Sequence, residues 1–237
     1  MLGVEYPPEF LANPKNHRTR SSLLLAGPEG NVLIDCAPEM RLQLLREKIM
    51  MLEAVVITHT HADHIMGMDD LRSFTLVARK VMPVYSLPEY LEDLRRVFRY
   101  AFEELKADVA VPMLDLRVST PIIQAAGLAI HTFNVFHGPW PVIGIRVNGL
   151  AYLTDVNRIP DEARPYLEDL DTLILDGVRI KHHPTHFNFD QAIEAALEIG
   201  AKKTYLTHLS HDYDHDETNA TLPDAIRLAY DGLRIPI

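Results

Sequence analysis

The sequence predicts an α/β protein with two sheets and helices outside them. Three observations carry that expectation: strand and helix patterns alternate after the first twenty residues, a β-meander separates two mixed halves, and the chemically able residues fall at strand ends. Pattern alone leaves the packing of the layers open. With 237 residues, 47% hydrophobic and 24% charged, and with no repeat or Gly/Ser linker, the chain reads as one globular domain over residues 1–237.

The first twenty residues read as irregular, with Pro7, Pro8 and Pro14 breaking any element. Residues 22–26 and 32–35 read as strands around the turn Gly27-Pro28-Glu29-Gly30, and residues 38–48 as a helix. Residues 54–58, AVVIT, form an apolar, β-branched run expected to be a buried strand. Residues 89–106 give the clearest helix, because Leu91, Leu94, Phe98, Phe102 and Leu105 recur at spacings of three and four. Residues 129–136, 142–147 and 150–154 read as strands, the last two joined by the hairpin signal Asn148-Gly149. A helix near residues 161–170, a strand at Thr172–Asp176, a helix at Phe189–Ile199 and a strand at Lys203–Thr207 complete the reading. Asn188 with Gln191 three residues on marks a helix start, and Gly200 a stop.

The balance of 23 Lys+Arg against 33 Asp+Glu gives a formal charge of -10, which disfavours nucleic acid and anionic membrane as bulk partners. Carboxylates committed to divalent cations would make one face an exception. No apolar run approaches the ~20 residues of a membrane helix. Residues 1–10 show neither a basic patch nor an apolar signal core, so no export signal is expected. Cys36 is the sole cysteine, which forbids an intramolecular disulfide and suits a reducing cytoplasm. We read Cys36 as a small buried filler.

The most informative segment is Thr58-His59-Thr60-His61-Ala62-Asp63-His64, directly after the buried strand. In extended backbone, residues two apart face the same way, so His59 and His61 can converge on one ion. A helix beginning near Ala62 would turn Asp63 and His64 back toward the same space. Imidazole nitrogen mixed with carboxylate oxygen suits zinc, and also manganese or iron. The bland alternative is a solvated His-rich turn. Further candidates stand at other strand ends: His137 after residues 129–136, Asp155 after residues 150–154, and His208 after Lys203–Thr207. Each is weak alone; together with the first motif they are strong.

This order of motifs resembles the metallo-β-lactamase superfamily from about Arg18 to the C-terminus. The resemblance implies a four-layer αβ/βα sandwich of two mixed sheets with helices on the outer faces. Within the superfamily the chain looks most like the PhnP-like branch of cyclic phosphodiesterases, on Asn16-His17-Arg18-Thr19-Arg20-Ser21-Ser22, Gly67-Met68-Asp69-Asp70-Leu71-Arg72, Pro184-Thr185-His186-Phe187-Asn188 and Leu206-Thr207-His208. The resemblance assigns His59, His61 and His137 to one metal, Asp63, His64 and His208 to a second, and Asp155 to both, with zinc or manganese the expected ions. His186 matches a non-ligand catalytic histidine, and Asp35 an acid that orients a ligand histidine. A capping or supporting role is the alternative for His186. Two departures stand out. The branch usually carries a Cys-rich insert with a structural zinc, which is not expected where residues 3–10 hold no cysteine. The superfamily also opens with a strand that this chain lacks, so the first strand is expected to be missing or the start assigned too late.

The implied function is hydrolysis of a small cyclic or nucleotide-like phosphate ester. A hydroxide shared by two metals would attack phosphorus, with His186 and Asp63 as catalytic residues. Rival readings are a tRNA 3′-processing-type nuclease, a thiolester or lactone hydrolase, and a non-catalytic metal-binding relative. A penicillin-type β-lactamase is disfavoured because no cysteine stands at a ligand position. The resemblance suggests a homodimer. His182 and His183 read as solvated loop residues, His211 as supporting a ligand, and residues 212–217 as a solvated acidic turn. Trp140 reads either as a pocket wall or as packing.

Overall fold

A computed structural model of the chain describes residues 3–103 and 110–237. They fall into two compact units: Arg20–Thr132, the first unit, and Met1–Thr19 with Phe133–Ile237, the second. A short helix, α1 (Pro8–Ala12), opens the second unit, followed by a 3-10 turn at Pro14–Asn16. The expectation of an irregular start is thereby corrected. Proline at the first helical position starts a helix, because its missing N–H would have no partner there.

The first unit is built on a mixed five-stranded sheet, ordered β1 (Leu23–Gly27), β2 (Gly30–Ile34), β3 (Ala54–Val56), β4 (Met82–Ser86) and β5 (Leu114–Val118). β1 and β2 pair antiparallel; the remaining pairs are parallel. Helix α2 (Met40–Arg46) links β2 to β3, and α3 (Ala62–Ile65) and α4 (Arg72–Ala78) follow β3. Every residue of β3 is buried, as its β-branched run predicts. Helix α5 (Pro88–Val97) is shorter than the expected 89–106. Phe98 leaves the helical region, at φ -104° and ψ 37°, and a 3-10 turn follows; Leu105 lies outside the described residues. β-Branched Val97 beside aromatic Phe98 is a weak helix-forming pair, and burial holds Phe98 in the core without helical backbone. Leu91, Leu94 and Phe98 do pack in one core with Val55, Ile57, Met68 and Val84.

β6 (Ile122–Ala125) pairs antiparallel with the first half of β7 (Leu128–His137), the strand along which the chain passes into the second unit. The second sheet is ordered β12-β11-β10-β9-β8-β7-β6, where β8 is Trp140–Val147, β9 Leu150–Leu153, β10 Thr172–Asp176, β11 Lys203–Thr207 and β12 Ile226–Leu228. β9, β10, β11 and β12 run parallel, while β8 and β9 form the expected hairpin, with Asn148 at φ 51°. Residues 161–167 form a 3-10 helix where an α-helix was expected, since Pro165 removes a donor inside it. Helix α6 (Phe189–Ile199) has the expected bounds, with Asn188 and Gln191 in a reciprocal capping box and Gly200 left-handed at φ 69°. Helix α7 (His215–Thr221) replaces the expected solvated acidic turn: Asp214 caps it by accepting from the Asp216 and Glu217 N–H groups, and His215 is buried. This unit has its own core, with Val135, Leu153, Leu173, Leu175, Leu206 and Tyr213 among its members. Among the described residues, no helix is long and apolar enough to cross a membrane.

Candidate metal centre

In the first unit, β3 delivers the motif. Past Val56 the chain stays buried through Ile57, Thr58 and His59, then exposes His61 before α3 begins. Asp35, the residue after β2, organises the cluster from a fully buried position. Its carboxylate accepts from Thr58 N and Oγ1 and from His64 Nδ1, each at 2.8 Å. Since the Thr58 hydroxyl donates to Asp35, its oxygen accepts from His59 Nδ1 at 3.1 Å. The neutral rings of His59 and His64 therefore hold their proton on Nδ1 and carry the lone pair on Nε2, the form in which imidazole binds a cation. The His59 ring lies 4.6 Å from His61 and 4.3 Å from His64, and Asp63 Oδ2 lies 3.6 Å from His64 Nε2. The loop after α3 passes against residues 36–37, where Gly67 is required: a side chain there would meet the Ala37 carbonyl oxygen at 2.2 Å. Cys36 is the expected buried filler, and burial pushes its thiol well up from the ordinary value.

The second unit gathers the other candidates at the carboxyl ends of β7, β9, β10 and β11. His137, the last residue of β7, donates from Nδ1 to the Thr185 carbonyl at 2.7 Å, so its neutral ring carries the lone pair on Nε2. Asp155 is buried, with Oδ1 3.4 Å from His208 Nε2 and Oδ2 3.9 Å from His186 Nε2. The His186 ring stands 4.3 Å from His137 and stacks on His208 at 5.0 Å. Asp155, His186 and His208 each offer a ligand atom within 4.8 Å of the others, so their chemistry and spacing fit a divalent cation.

Sequence reasoning missed Asp176. It ends β10, is fully buried, and its Oδ2 accepts from Val156 N at 2.9 Å and from His186 Nδ1 at 2.7 Å. Burial raises the Asp176 carboxyl from its ordinary value, against the opposing pull of the His186 hydrogen bond. A signal was present: Leu173-Ile174-Leu175-Asp176 repeats the pattern of Val32-Leu33-Ile34-Asp35.

Asp35, Asp155 and His208 share left-handed backbone, with φ of 63°, 49° and 57°. Such conformations are uncommon outside glycine and collect at functional sites. The remaining histidines separate. His211 lies 3.6 Å from Asp212 and at ring distance from Tyr6. His183 is half-buried, its ring 4.6 Å from His186, so it is not the solvated residue expected. Burial, then the neighbouring His186 and Arg179, lower His183 from its ordinary value. Trp140 is half-exposed, its ring 6.2 Å from His137.

The family profile for the beta-lactamase superfamily domain matches residues 30–209. A solved structure described as a new diphosphatase from the PhnP family is 36% identical with a TM-score of 0.90, covering 100% of this chain and 91% of that one. An octanoyltransferase of Porphyromonas gingivalis is 36% identical over 221 residues, 91% of this chain and 44% of that protein. A ribonuclease Z of Bradyrhizobium diazoefficiens is 30% identical over 129 residues, 52% of this chain and 42% of that protein. The chain thus spans less than half the length of these two curated relatives. The two mixed sheets, the strand-end histidines and aspartates, the profile match and the full-length structural likeness together place the chain in the metallo-β-lactamase superfamily of hydrolases, on its PhnP-like branch.

Proposed function

We propose that this chain is a metal-dependent hydrolase of small, nucleotide-like phosphate esters or anhydrides, working as one functional domain. The observation that carries the reading is the Asp176–His186 pair: a buried carboxylate holds the imidazole at Nδ1, and His186 Nε2 stands beside Asp155. Two divalent cations, zinc or manganese, would be held by His59, His61 and His137 and by Asp63, His64 and His208, with Asp155 serving both. The committed Nδ1 atoms of His59, His64 and His137 support that assignment. Bound there, such cations acidify water and neutralise charge building on phosphorus. His186 presents Nε2 for proton transfer at the leaving-group oxygen, and Asp176 keeps its ring from turning. Asp63, partly exposed, would orient the attacking water as well as ligate. The likeness to a diphosphatase supports phosphoryl chemistry. The ribonuclease Z likeness favours RNA as a second substrate class, and the formal charge of -10 argues against it.

The test is hydrolysis of bis(p-nitrophenyl) phosphate by metal-stripped protein before and after zinc or manganese is added. Turnover that depends on added metal is the expected outcome. No turnover by folded, metal-loaded protein would remove the phosphoesterase reading.

A further inference from the structure

The loop from β10 to α6, residues 177–187, runs VRIKHHPTH between Gly177 and Phe187 and carries no acidic residue, in a chain with 33 Asp+Glu. It is not loosely solvated. The Arg179 guanidinium donates to the carbonyls of Lys181 (3.2 Å) and His182 (2.6 Å), drawing the loop into a fixed turn. His183 Nδ1 accepts from Thr185 N and lies as close to Thr185 Oγ1, both at 3.3 Å. The neutral ring therefore carries its proton on Nε2, a donor in either charge state. Lys181 is exposed and, among the described residues, makes no ion pair. The His137 ring lies 6.2 Å from Trp140 and 4.3 Å from His186, and the His186 ring lies 4.6 Å from His183. A phosphate reacting beside His186 would thus have the His183 ring, on a turn braced by Arg179, as a near neighbour.

We infer that His183 and Lys181 form a second anion subsite, which selects substrates carrying a phosphate adjacent to the one attacked, as in a diphosphate linkage. The inference rests on the proposed hydrolase reading and narrows its substrate class. In the reaction, water adds across the P–O–P bond: its oxygen bonds one phosphorus, the bridging oxygen leaves with the other, and two monophosphates result. His183 and Lys181 hold the phosphate that departs.

The experiment uses metal-loaded full chain with two substrates: bis(p-nitrophenyl) phosphate, with one phosphate, and di(adenosine) diphosphate, with two. In Lys181→Ala/His183→Ala, KM for the diphosphate should rise about tenfold or more, the scale of a lost charge-assisted contact, while KM for the single-phosphate ester stays within about twofold. Ile180→Ala, an exposed position in the same loop, should change neither and so controls for disturbance of the loop. Equal effects on both substrates, no effect on either, or no wild-type turnover of the diphosphate while the simple ester is cleaved would each overturn the subsite alone. Failure of both substrates with loaded wild-type protein would overturn the proposed function, and the subsite with it.

Discussion

Each unit holds a histidine by the same device. Asp35, after β2, accepts from His64 Nδ1 at 2.8 Å; Asp176, ending β10, accepts from His186 Nδ1 at 2.7 Å. The aspartates are equally buried, Asp35 directly after an apolar strand and Asp176 as the last residue of one. The surroundings differ. Asp35 has three donors and braces the turn that carries the metal motif, while Asp176 has two and braces the ring and the chain after Asp155. His64 is fully buried; His186 keeps 7% exposure and lies among the rings of His137, His183 and His208. The shared hydrogen bond sets the tautomer in both pairs. Under the proposed function, His64 would hold an ion and the more accessible His186 would meet a substrate oxygen.

The largest effect should come from Asp35→Ala. Removing the carboxylate leaves His64 and Thr58 donors buried without their acceptor, so stability should fall by about 1–3 kcal/mol for each orphaned donor. Chemical denaturation measures it, and an unchanged midpoint would end the view that Asp35 organises its unit. Next, His186→Ala should lower kcat by roughly 10²–10⁴-fold with bound metal unchanged by elemental analysis, whereas His64→Ala should lose metal. Loss of metal in His186→Ala would make the two pairs equivalent and break the contrast. Asp176→Asn keeps an acceptor for Val156 N–H but loses the carboxylate, so kcat should fall about 10–100-fold at nearly constant KM. A drop confined to KM would move Asp176 from positioning His186 to shaping the substrate pocket.

A third buried histidine sharpens the contrast because no carboxylate grips it. His215 Nδ1 has no hydrogen-bond partner among the described residues, and burial, then Lys15 and Arg18, lower its pKa. The folded state therefore resists a proton that the unfolded chain accepts near its ordinary pKa of about 6.5. The neutral ring's full contribution is present above that value and declines as pH falls from it through the lowered folded pKa. Among these effects it should be the smallest. His215→Gln should flatten the decline in melting temperature between neutral and mildly acidic pH, and an unaltered slope would show that His215 is not its source.

The local signals were legible where a residue acts on its own neighbours. The capping box of Asn188 and Gln191, the stop at Gly200, the hairpin at Asn148-Gly149 and the buried run of β3 depend on backbone preference and nearest-neighbour hydrogen bonds. β5 was less legible, although Leu114, Leu116 and Val118 alternate with Asp115 and Arg117 as an edge strand should. β4 was hidden by Pro83, and the early end of α5 depends on where Phe98 finds its core. By itself, the sequence determined the candidate metal motif His59-Thr60-His61-Ala62-Asp63-His64, because its imidazoles and carboxylate crowd within six residues. Only tertiary structure decided that Asp35 holds His64 across 29 positions, that Asp176 holds His186, and that Thr185 turns both His137 and His183. Those pairings depend on which strand ends lie side by side in a sheet, and a hydrogen bond at 2.7 Å is a property of that register rather than of spacing along the chain.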